Sequence, residues 1–497
     1  MTVLDVQGLR IRFDGQSVVD DVSFSVSAGE CVAIVGESGA GKSLTARALL
    51  GLVPADAAVQ VQRLNIAGTN ARRLSERGWR GLRGSTIALV SQDALVSLDP
   101  LRRVGAEVAE PLRLHERALR GAALRTRVRE SLGRVWMPDV DRRARQYPHE
   151  LSGGLRQRAL IASALAAGPA VLVADEPTTA LDATVQARVL DLLRAISDVG
   201  TAVVFISHDF AAVRRVADRI LVMRGGRVVE SGDAARVLDS PDDPYTSRLI
   251  AATRHQPRAT TPAGGDVILT VAHASKAFGH DRAVVDASFT VRQGQTLGVV
   301  GESGSGKTTL ARMILGVERP DVGEVRWDGE HRVQFVHQNP LGAFDPRWTI
   351  GRSLREALEA AGVARRERST RVADLLIEVD LDPSLASRRP AALSGGQRQR
   401  AAIARALAAD PSVLVLDEPV SALDPSVREK VLELLLRLQR ERGMTMIFIS
   451  HDLNVIAAVA DEVLVMQAGA IVEQGTVSDV FASPQHPFTT ELLAAAR

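Results

Sequence analysis

The sequence predicts an α/β fold made of two similar domains, each built on a mainly parallel sheet with helices on both faces. Short apolar runs such as "ECVAIVG" and "AVLVADEP" are rich in β-branched or small apolar residues and stand between segments with helical periodicity. Runs of this kind are typical of parallel strands that are buried on both faces. The same runs, with their flanking motifs, recur in the second half of the chain, which indicates that the fold is present twice.

The recurrence involves motifs that keep one order in both halves. "IVGESGAGKS" returns as "VVGESGSGKT", "VSQDALVSLDP" as "VHQNPLGAFDP", and "LSGGLRQR" as "LSGGQRQR", while "FISHD" is repeated unchanged. The first two motifs stand closer together in the second half, so the second copy lacks a part of the first. Between the copies lies a polar stretch with proline, glycine and threonine, a composition typical of a flexible linker. We therefore predict a first domain at 1–252, a linker at 253–265 and a second domain at 266–497.

The composition excludes several classes of protein. Of the 497 residues, 45% are hydrophobic and 24% are charged, which is typical of a globular protein. A net charge of +2 gives only weak support for a nucleic-acid surface, and the single cysteine, Cys31, excludes an internal disulfide framework or a four-cysteine metal site. The N-terminus lacks a signal-peptide pattern, and no apolar run reaches the roughly 18 residues that span a bilayer. A role at a membrane therefore requires a partner that supplies the membrane part.

Each copy contains the phosphate-loop pattern GxxxxGK[ST] between a strand and a helix. Glycines in this context allow backbone N–H groups to surround phosphates, and the helix N-terminus adds a favourable dipole. Lys42 and Lys307 are expected to reach the β- and γ-phosphates of a nucleotide, and Ser43 and Thr308 to bind Mg²⁺. Both loops keep a lysine in a chain that uses arginine nearly everywhere else, because a compact ammonium fits among phosphates where a guanidinium does not. The predicted nucleotide-binding residues of the loops are Gly36, Glu37, Ser38, Gly39, Ala40, Gly41, Lys42 and Ser43, and Gly301, Glu302, Ser303, Gly304, Ser305, Gly306, Lys307 and Thr308.

An Asp-Glu pair ends one buried strand in each copy, in "VLVADE" and "VLVLDE". Asp175 and Asp417 are expected to hold Mg²⁺, usually through water. Glu176 and Glu418 stand one residue further on and are expected to polarise the attacking water. An acidic strand end that caps a helix is the alternative interpretation.

Histidine, glutamine and phenylalanine supply further candidates in each copy. The histidine of "ISHD" follows an apolar strand and is expected to contact the γ-phosphate. The loop glutamine is a candidate for catalysis and for Mg²⁺ coordination because it belongs to the repeat. The phenylalanine near the start of each copy is a candidate for stacking on adenine, although packing of a strand in the core explains it almost as well. These residues are His208, His451, Gln92, Gln338, Phe13 and Phe278.

The order of phosphate loop, loop glutamine, LSGG turn, Asp-Glu strand end and histidine resembles the nucleotide-binding domains of ABC-type ATPases. The resemblance covers both halves nearly end to end, and the LSGGQ turn is highly specific to that family. It implies tandem P-loop NTPase domains, each with a mainly parallel sheet core, a helical signature subdomain and a small antiparallel β subdomain. It also implies ATP and Mg²⁺ as cofactors.

In that family the LSGG turn closes over the ATP held by the opposite domain. The resemblance therefore implies that Ser394–Gly396 complete the site at Lys42, and that Ser152–Gly154 complete the site at Lys307. Pairing of the two domains within one chain then replaces a homodimer, with Asp182 and Asp424 at the seam. A Ser-Gly-Gly turn at a helix N-terminus offers hydroxyl and amide donors to a γ-phosphate. The residues of the two turns are Ser152, Gly153 and Gly154, and Ser394, Gly395, Gly396 and Gln397.

The two turns differ in their surroundings. Leu155 stands where the second copy has Gln397, so the two seams need not be equivalent. Two arginines follow each turn on the same helix, Arg156 and Arg158 in the first copy, and suit an anion. "YPHE" before the first turn becomes "RPAA" at 389–392, and the second copy lacks much of a segment that follows the first phosphate loop. No motif residue of the core is missing from either copy, so these differences put equal docking at the membrane in doubt rather than the ATP chemistry.

Three functions compete for a chain of this kind. The first is the ATPase subunit of an importer whose membrane subunits are separate chains. The second is a soluble translation- or ribosome-associated ATPase, which typically carries a long charged linker between its domains, and the third is a monosaccharide-importer ATPase, whose second half is commonly degraded. The short linker and the intact motifs of the second half favour the first. An export pump with fused membrane helices is excluded because the chain lacks such helices.

Two tails point to a cargo. "SPDDPYTSRLIAAT" at 240–253 and "SPQHPFTTELLAAA" at 483–496 resemble the C-terminal tail of the di- and oligopeptide importer ATPases, a group with nickel and glutathione relatives. The resemblance implies import of short peptides, with a nickel, glutathione or monosaccharide importer as the alternative. Domains of that group often carry a cysteine cluster near this tail; no cysteine occurs here beyond Cys31, so no iron–sulfur cluster is expected.

The same resemblance implies the partners and the location. The partners are two transmembrane permease subunits and an extracytoplasmic solute-binding protein, with no nucleic acid and no direct insertion into the membrane. The expected location is peripheral, at the cytoplasmic face of the inner membrane. The segments that follow the two loop glutamines mix apolar and basic residues, among them Arg102 and Arg347, and are expected to receive short partner helices.

Overall fold

The structure is a computed structural model in which two compact units are described. One unit comprises Met1–Leu181 with Val185–Thr253, and the other includes Arg254–Arg497. Most of the predicted linker lies outside the described residues, so the domain bounds remain a prediction. Five predicted site residues also lie outside them: Ser38, Gln92, Asp182, Ser303 and Asp424. The structure describes residues 1–497 apart from Ser38, Gln92, Asp93, 179–180, Asp182, 252–264, His280, Ser303, Ala422, Asp424 and Arg497.

The strands of the first unit form two sheets. They are β1 (Thr2–Phe13), β2 (Gln16–Ser27), β3 (Cys31–Val35), β4 (Ala57–Gln60), β5 (Arg63–Ile66), β6 (Thr69–Asn70), β7 (Ile87–Val90), β8 (Val171–Asp175), β9 (Ala202–Ile206), β10 (Arg219–Arg224) and β11 (Arg227–Asp233). The central sheet has the order β11-β10-β3-β9-β8-β7 and is parallel except for the edge strand β11. The second sheet is antiparallel, in the order β2-β1-β5-β6 with β4 also on β1.

The helices of the first unit pack beside the central sheet or form a separate group. They are α1 (Lys42–Leu49), α2 (Glu76–Leu82), α3 (Ala94–Ser97), α4 (Val104–His115), α5 (Gly121–Arg134), α6 (Val140–Arg143), α7 (Gly153–Leu165), α8 (Ala183–Asp198), α9 (Phe210–Val216), α10 (Ala234–Asp239) and α11 (Pro244–Ala251). Helices α4, α5 and α7 contact one another and form the helical subdomain that the sequence predicts. The first glycine of the LSGG turn begins α7, so this subdomain carries the turn.

The second unit repeats this plan with fewer strands. Its strands are β12 (Val267–Phe278), β13 (Asp281–Arg292), β14 (Thr296–Gly301), β15 (Val322–Trp327), β16 (Val333–Val336), β17 (Val413–Asp417), β18 (Thr445–Ile449), β19 (Glu462–Gln467) and β20 (Ala470–Thr476). Its helices are α12 (Lys307–Ile314), α13 (Ile350–Ala360), α14 (Arg368–Glu378), α15 (Gly395–Leu407), α16 (Pro425–Arg442), α17 (Leu453–Val459), α18 (Val477–Ala482) and α19 (Pro487–Ala496). The central sheet runs β16-β17-β18-β14-β19-β20, again with only the edge strand β20 antiparallel, and β13-β12-β15 form the antiparallel sheet.

These sheets confirm the predicted fold class and locate the shortened region. Where the first unit has β4, β5, β6 and α2, the described part of the second unit has β15 alone. The central strands β3, β8 and β9 are buried along their whole length, as their continuous apolar sequences predict. Phe205 and Phe448, which occupy equivalent positions in the repeat, are among the largest fully buried side chains. No helix among the described residues is both long enough and apolar enough to cross a membrane.

Candidate nucleotide-binding sites

The first phosphate loop joins the buried strand β3 to helix α1. Gly36, Gly39 and Gly41 have φ of +150°, +82° and +94°, which lie in the left-handed range that favours glycine. A Cβ at Gly36 would lie 2.2 Å from the carbonyl oxygen of Met223, so the loop also requires a residue without a side chain there. The ammonium of Lys42 is buried and donates to the carbonyl oxygens of Gly36 at 2.7 Å and Glu37 at 2.9 Å.

The second phosphate loop has the same geometry between β14 and α12. Gly301 has φ of +153°, and a Cβ there would lie 2.2 Å from the carbonyl oxygen of Met466. The buried ammonium of Lys307 donates to the carbonyl oxygens of Gly301 at 2.8 Å and Glu302 at 2.7 Å. Both lysines therefore lie folded back onto the carbonyl groups of their own loops.

The predicted Mg²⁺ ligands are brought together in both units. The Ser43 hydroxyl donates to Asp175 at 3.1 Å, and the Thr308 hydroxyl donates to Asp417 at 3.3 Å. Burial raises the pKa of Asp175 and of Asp417, and the charge of the adjacent glutamate raises each pKa further. A buried carboxylate with a raised pKa is stabilised by a cation, so these pairs suit a metal ion. Among the described residues, no group of three or more His, Cys, Asp or Glu could hold a metal without other ligands.

The glutamates and histidines of each copy also meet. His208 Nδ1 lies 3.2 Å from a carboxylate oxygen of Glu176, and His451 Nδ1 lies 3.0 Å from one of Glu418. The Gln338 amide donates to the other oxygen of Glu418 at 2.8 Å, so glutamine, glutamate and histidine form one cluster in the second unit.

Electrostatics favour a charged pair in that cluster. Burial raises the pKa of Glu418, but the hydrogen bond and charge of His451, with the charge of Lys307 and a hydrogen bond to Ser421, together outweigh burial, so the net pKa is lowered. Burial lowers the pKa of His451, but the hydrogen bond and charge of Glu418, with the charge of Asp452, together outweigh burial, so the net pKa is raised. Each partner therefore stabilises the charged form of the other.

The LSGG turns show why two glycines follow the serine. Ser152, Gly153, Ser394 and Gly395 are exposed at the N-termini of α7 and α15, whereas the second glycine of each turn is buried. A Cβ on Gly154 would lie 2.2 Å from Val185 Cγ1, and a Cβ on Gly396 would lie 2.2 Å from Val427 Cγ1. The second glycine thus allows close packing of the helices, while the serine and first glycine remain accessible.

The two turns differ in their helix caps, as the replacement of Gln397 by Leu155 in the first copy predicts. Ser394 Oγ accepts from the Gln397 amide nitrogen at 3.3 Å, and Gln397 Oε1 accepts from the Ser394 amide nitrogen at 3.0 Å, which together form a capping box. The Ser152 side chain makes no capping hydrogen bond to the helix. Leu155 has no polar side-chain atom, so it cannot accept from the Ser152 amide as Gln397 accepts from that of Ser394. The second turn is therefore the more firmly fixed of the two.

The arginines after the first turn bond to neighbouring backbone. Arg156 Nε donates to the carbonyl oxygen of Pro148 at 2.7 Å, and Arg158 donates to that of Trp136 at 2.9 Å. Both guanidinium groups therefore fix neighbouring backbone within the helical subdomain. That they suit an anion stays a prediction, because each guanidinium keeps further N–H donors besides those that bond to the backbone.

The two candidate adenine-stacking residues lie in different environments. Phe13 ends β1 and is half-buried against the core of the antiparallel sheet. Phe278 is 47% exposed, with the ammonium of Lys276 5.6 Å from the ring centroid. Stacking on adenine stays a prediction for both.

Two kinds of contact around the sites do not follow from the motifs. Asp209 and Asp452, directly after the histidines, cap α9 and α17 by accepting from helix amides, a role that an aspartate between a strand and a helix indicates. Tyr245 of the first tail reaches the first phosphate loop, where its hydroxyl accepts from the amide of Glu37 at 3.3 Å. The recurrence of the tails was visible in the sequence, but no local pattern indicates where the tail packs.

These folds and loops define a tandem P-loop ATPase. The family model for ABC transporter matches residues 19–179 and 284–421, and the chain belongs to that family. The peptidoglycan transport ATP-binding protein YejF of Agrobacterium fabrum is 42% identical, over 99% of this chain and 96% of that protein. The glutathione import ATP-binding protein GsiA of Pectobacterium atrosepticum is 40% identical, over 99% and 89% of the two chains.

Solved structures support the fold alone. The chain matches a structure of RNase-L inhibitor with a TM-score of 0.65 at 22% identity, covering 96% of this chain and 92% of that one. It matches an archaeal ribosome recycling factor with a TM-score of 0.62 at 23% identity, covering 89% and 84%. From its family and relatives, the chain is the ATP-binding subunit of an ABC importer, with ATPase activity coupled to transport.

Proposed function

We propose that each phosphate loop binds ATP and that each unit supplies the residues that orient water for its hydrolysis. Lys42 and Lys307 lie over their loops, where exchange of their carbonyl partners for phosphate oxygens brings the ammonium to the β- and γ-phosphates. A histidine nitrogen lies beside the carboxylate of Glu176 and of Glu418 and holds that side chain in place. A water bound to either carboxylate would therefore be oriented for attack. The observation that carries this proposal is that both units repeat the same lysine, hydroxyl, aspartate, glutamate and histidine contacts.

Mg²⁺ fits the remaining donors. One hydroxyl and one carboxylate, with phosphates and water, are the ligands that Mg²⁺ uses at nucleotide sites. Ser43 with Asp175, and Thr308 with Asp417, would hold it. Gln338 donates to Glu418, the residue after Asp417. The bound ion would supply positive charge to the phosphates during transfer.

We further propose that the LSGG turns complete the sites across the two domains. Ser394–Gly396 would complete the site at Lys42, and Ser152–Gly154 the site at Lys307. Support comes from the exposure of the serine and the first glycine of both turns, because N-terminal amides of a helix attract anions.

The cargo proposed is a short peptide, imported through two separate permease subunits with a solute-binding protein. The relatives are described as transporting peptidoglycan and importing glutathione, and glutathione is itself a tripeptide. In this proposal the chain lies at the cytoplasmic face of the inner membrane, held there by the permeases.

Uptake in a deletion strain tests the cargo. The strain would receive di- to oligopeptides as the sole source of an essential amino acid, with plasmid-borne chain as the control. Loss of growth that the plasmid restores supports a peptide importer. Unchanged peptide uptake, with lost uptake of glutathione, nickel or a sugar, would move the function to that cargo.

Arg347 offers the cleaner test of the permease docking surface. It is exposed and pairs with Asp345 two residues earlier, whereas Arg102 bonds to Glu107 and Glu110 of its own unit. Reversing Arg102 therefore disturbs internal ion pairs as well as any partner contact. Arg347→Glu is expected to reduce transport while leaving ATP hydrolysis unchanged; full transport in this variant would reject docking at this segment.

A further inference from the structure

The first tail reaches the phosphate loop through one side chain. Tyr245, at the start of α11, is 6% exposed, and its hydroxyl oxygen accepts from the Glu37 amide at 3.3 Å. The guanidinium of Arg224 lies 4.9 Å from the centre of the Tyr245 ring. Burial raises the pKa of Tyr245, so the phenol stays neutral at physiological pH.

The tail holds this tyrosine by hydrogen bonds to the backbone. The carboxylate of Glu230, on β11, accepts from the amides of Asp242 at 2.8 Å and Asp243 at 3.2 Å. Asp243 in turn accepts from the Tyr245 amide at 2.7 Å. The tail is therefore fixed to the sheet just before the residue that touches the loop.

The contact falls on a peptide group that Lys42 also holds. The N–H of the Gly36–Glu37 peptide donates to Tyr245, while its carbonyl oxygen accepts from the Lys42 ammonium at 2.7 Å. Gly36 has φ of +150°, a conformation that glycine adopts readily and residues with a side chain adopt rarely. Tyr245 thus restrains the loop at the point where the phosphate-binding lysine is anchored.

We propose that Tyr245 is a positioning residue for ATP at the Lys42 site, a role that rests on the proposed function of that loop. A loop that is already ordered loses less conformational entropy when it binds phosphate, so the restraint raises nucleotide affinity. Tyr245 touches no reacting atom in this role.

The second unit lacks the means to make this contact. Phe488 occupies the position of Tyr245 and has no hydroxyl, and Gln467 occupies the position of Arg224. The tail is nevertheless fixed in the same way, because Glu473 accepts from the amides of Gln485 at 2.8 Å and His486 at 3.0 Å. The restraint therefore distinguishes the Lys42 site from the Lys307 site.

Tyr245→Phe tests the proposal because it removes the hydroxyl and keeps the ring. ATP binding to the purified full chain would be measured by calorimetry in a Lys307→Ala background, which isolates the Lys42 site. We expect the Kd to rise about two- to tenfold, the range for one lost hydrogen bond, with turnover at saturating ATP unchanged. Hydrogen exchange at the Glu37 amide should become faster in the same variant.

A matched background provides the control. In Lys42→Ala, the same Tyr245→Phe change should leave the Kd of the Lys307 site unaltered. An unchanged Kd at the Lys42 site, or an equal loss at both sites, would overturn the positioning role and leave the site assignment standing. Absence of ATP binding in the Lys307→Ala parent would overturn both, because the Lys42 loop would then not be a nucleotide site.

Discussion

At the scale of single residues, Glu176 and Glu418 share a backbone conformation that few non-glycine residues adopt. Both have φ of +48°, in the left-handed region, which costs on the order of 1–2 kcal/mol for a residue with a side chain. A histidine Nδ1 lies 3.2 Å from the carboxylate of Glu176 and 3.0 Å from that of Glu418. A strained conformation that recurs with the same partner in both copies fits the role proposed for these glutamates in orienting water.

Replacing either glutamate by glutamine should therefore stop catalysis without stopping binding. Glu176→Gln and Glu418→Gln keep the size of the side chain but remove the charge that orients water, so turnover should fall by roughly a hundredfold or more at the altered site. Phosphate release at saturating ATP, followed by measurement of retained ATP, gives both quantities. Glu359→Gln, which changes an exposed carboxylate on α13, is the control, and undiminished turnover in both active-site variants would refute the assignment.

Glu473 gives a pH-dependent prediction at the same scale. Burial raises its pKa, but the Gln485 and His486 amides that donate to the carboxylate contribute to an opposing effect that is larger, so the net pKa is lowered. A lowered folded-state pKa gives stability above the ordinary glutamate value of about 4.3, and that stability is lost as the pH falls through the folded-state value.

The unfolding temperature of Glu473→Gln should consequently differ most from the unaltered chain near neutral pH. The difference should shrink as the pH falls from about 4.3 through the lower folded-state pKa, below which the unaltered carboxylate is protonated too. Thermal unfolding between pH 3 and pH 7 measures it, with the exposed Glu441→Gln as the control. A difference that is constant over this range would show that the carboxylate charge does not fix the tail.

At the scale of elements, the two glycines of the first LSGG turn have separable roles. Gly153 has only Leu181 Cδ2 near an added Cβ, at 3.4 Å, whereas at Gly154 the nearest atom is Val185 Cγ1 at 2.2 Å. A valine side chain is stiff at χ1, so it cannot move aside cheaply. The first glycine is therefore exposed and not required for packing, whereas the second lets α7 pack closely against α8.

Alanine at these two positions should separate the roles. Gly154→Ala should lower the free energy of unfolding by about 1–3 kcal/mol through overpacking. Gly153→Ala should leave it unchanged or raise it by up to about 1 kcal/mol through helix propensity. Urea unfolding followed by circular dichroism compares them, and equal effects of the two substitutions would contradict the packing argument.

The sequence predicted the elements of the site better than their connections. Continuous apolar runs identified β3, β8 and β9, and motif order identified the lysine, aspartate, glutamate and histidine, because both depend on local pattern. The contact between Tyr245 and Glu37 joins residues 208 positions apart and depends on how the tail packs, which local pattern does not encode. The backbone contacts of the arginines after the first LSGG turn depend on packing in the same way, because the carbonyl oxygens that accept from Arg156 and Arg158 belong to residues 8 and 22 positions earlier.

At the scale of the whole molecule, the chain carries two of each catalytic motif but not two identical sites. The Ser394 turn is closed by a capping box and the Ser152 turn is not. The first phosphate loop contacts a tyrosine of its tail, while the second tail has Phe488. Under the proposed pairing across domains, the Lys42 site receives both the firmer turn and the restrained loop, so it should be the tighter of the two.

Site-specific nucleotide crosslinking in Ser394→Arg tests the central claim most directly. The large cation should block the turn that is proposed to complete the Lys42 site, so azido-ATP labelling, mapped by peptide mass spectrometry, should fall at Lys42 and persist at Lys307. Ser152→Arg should give the reciprocal pattern, which controls for general damage. Loss of labelling confined to the Lys307 site in Ser394→Arg would contradict the account, because each turn would then serve its own domain.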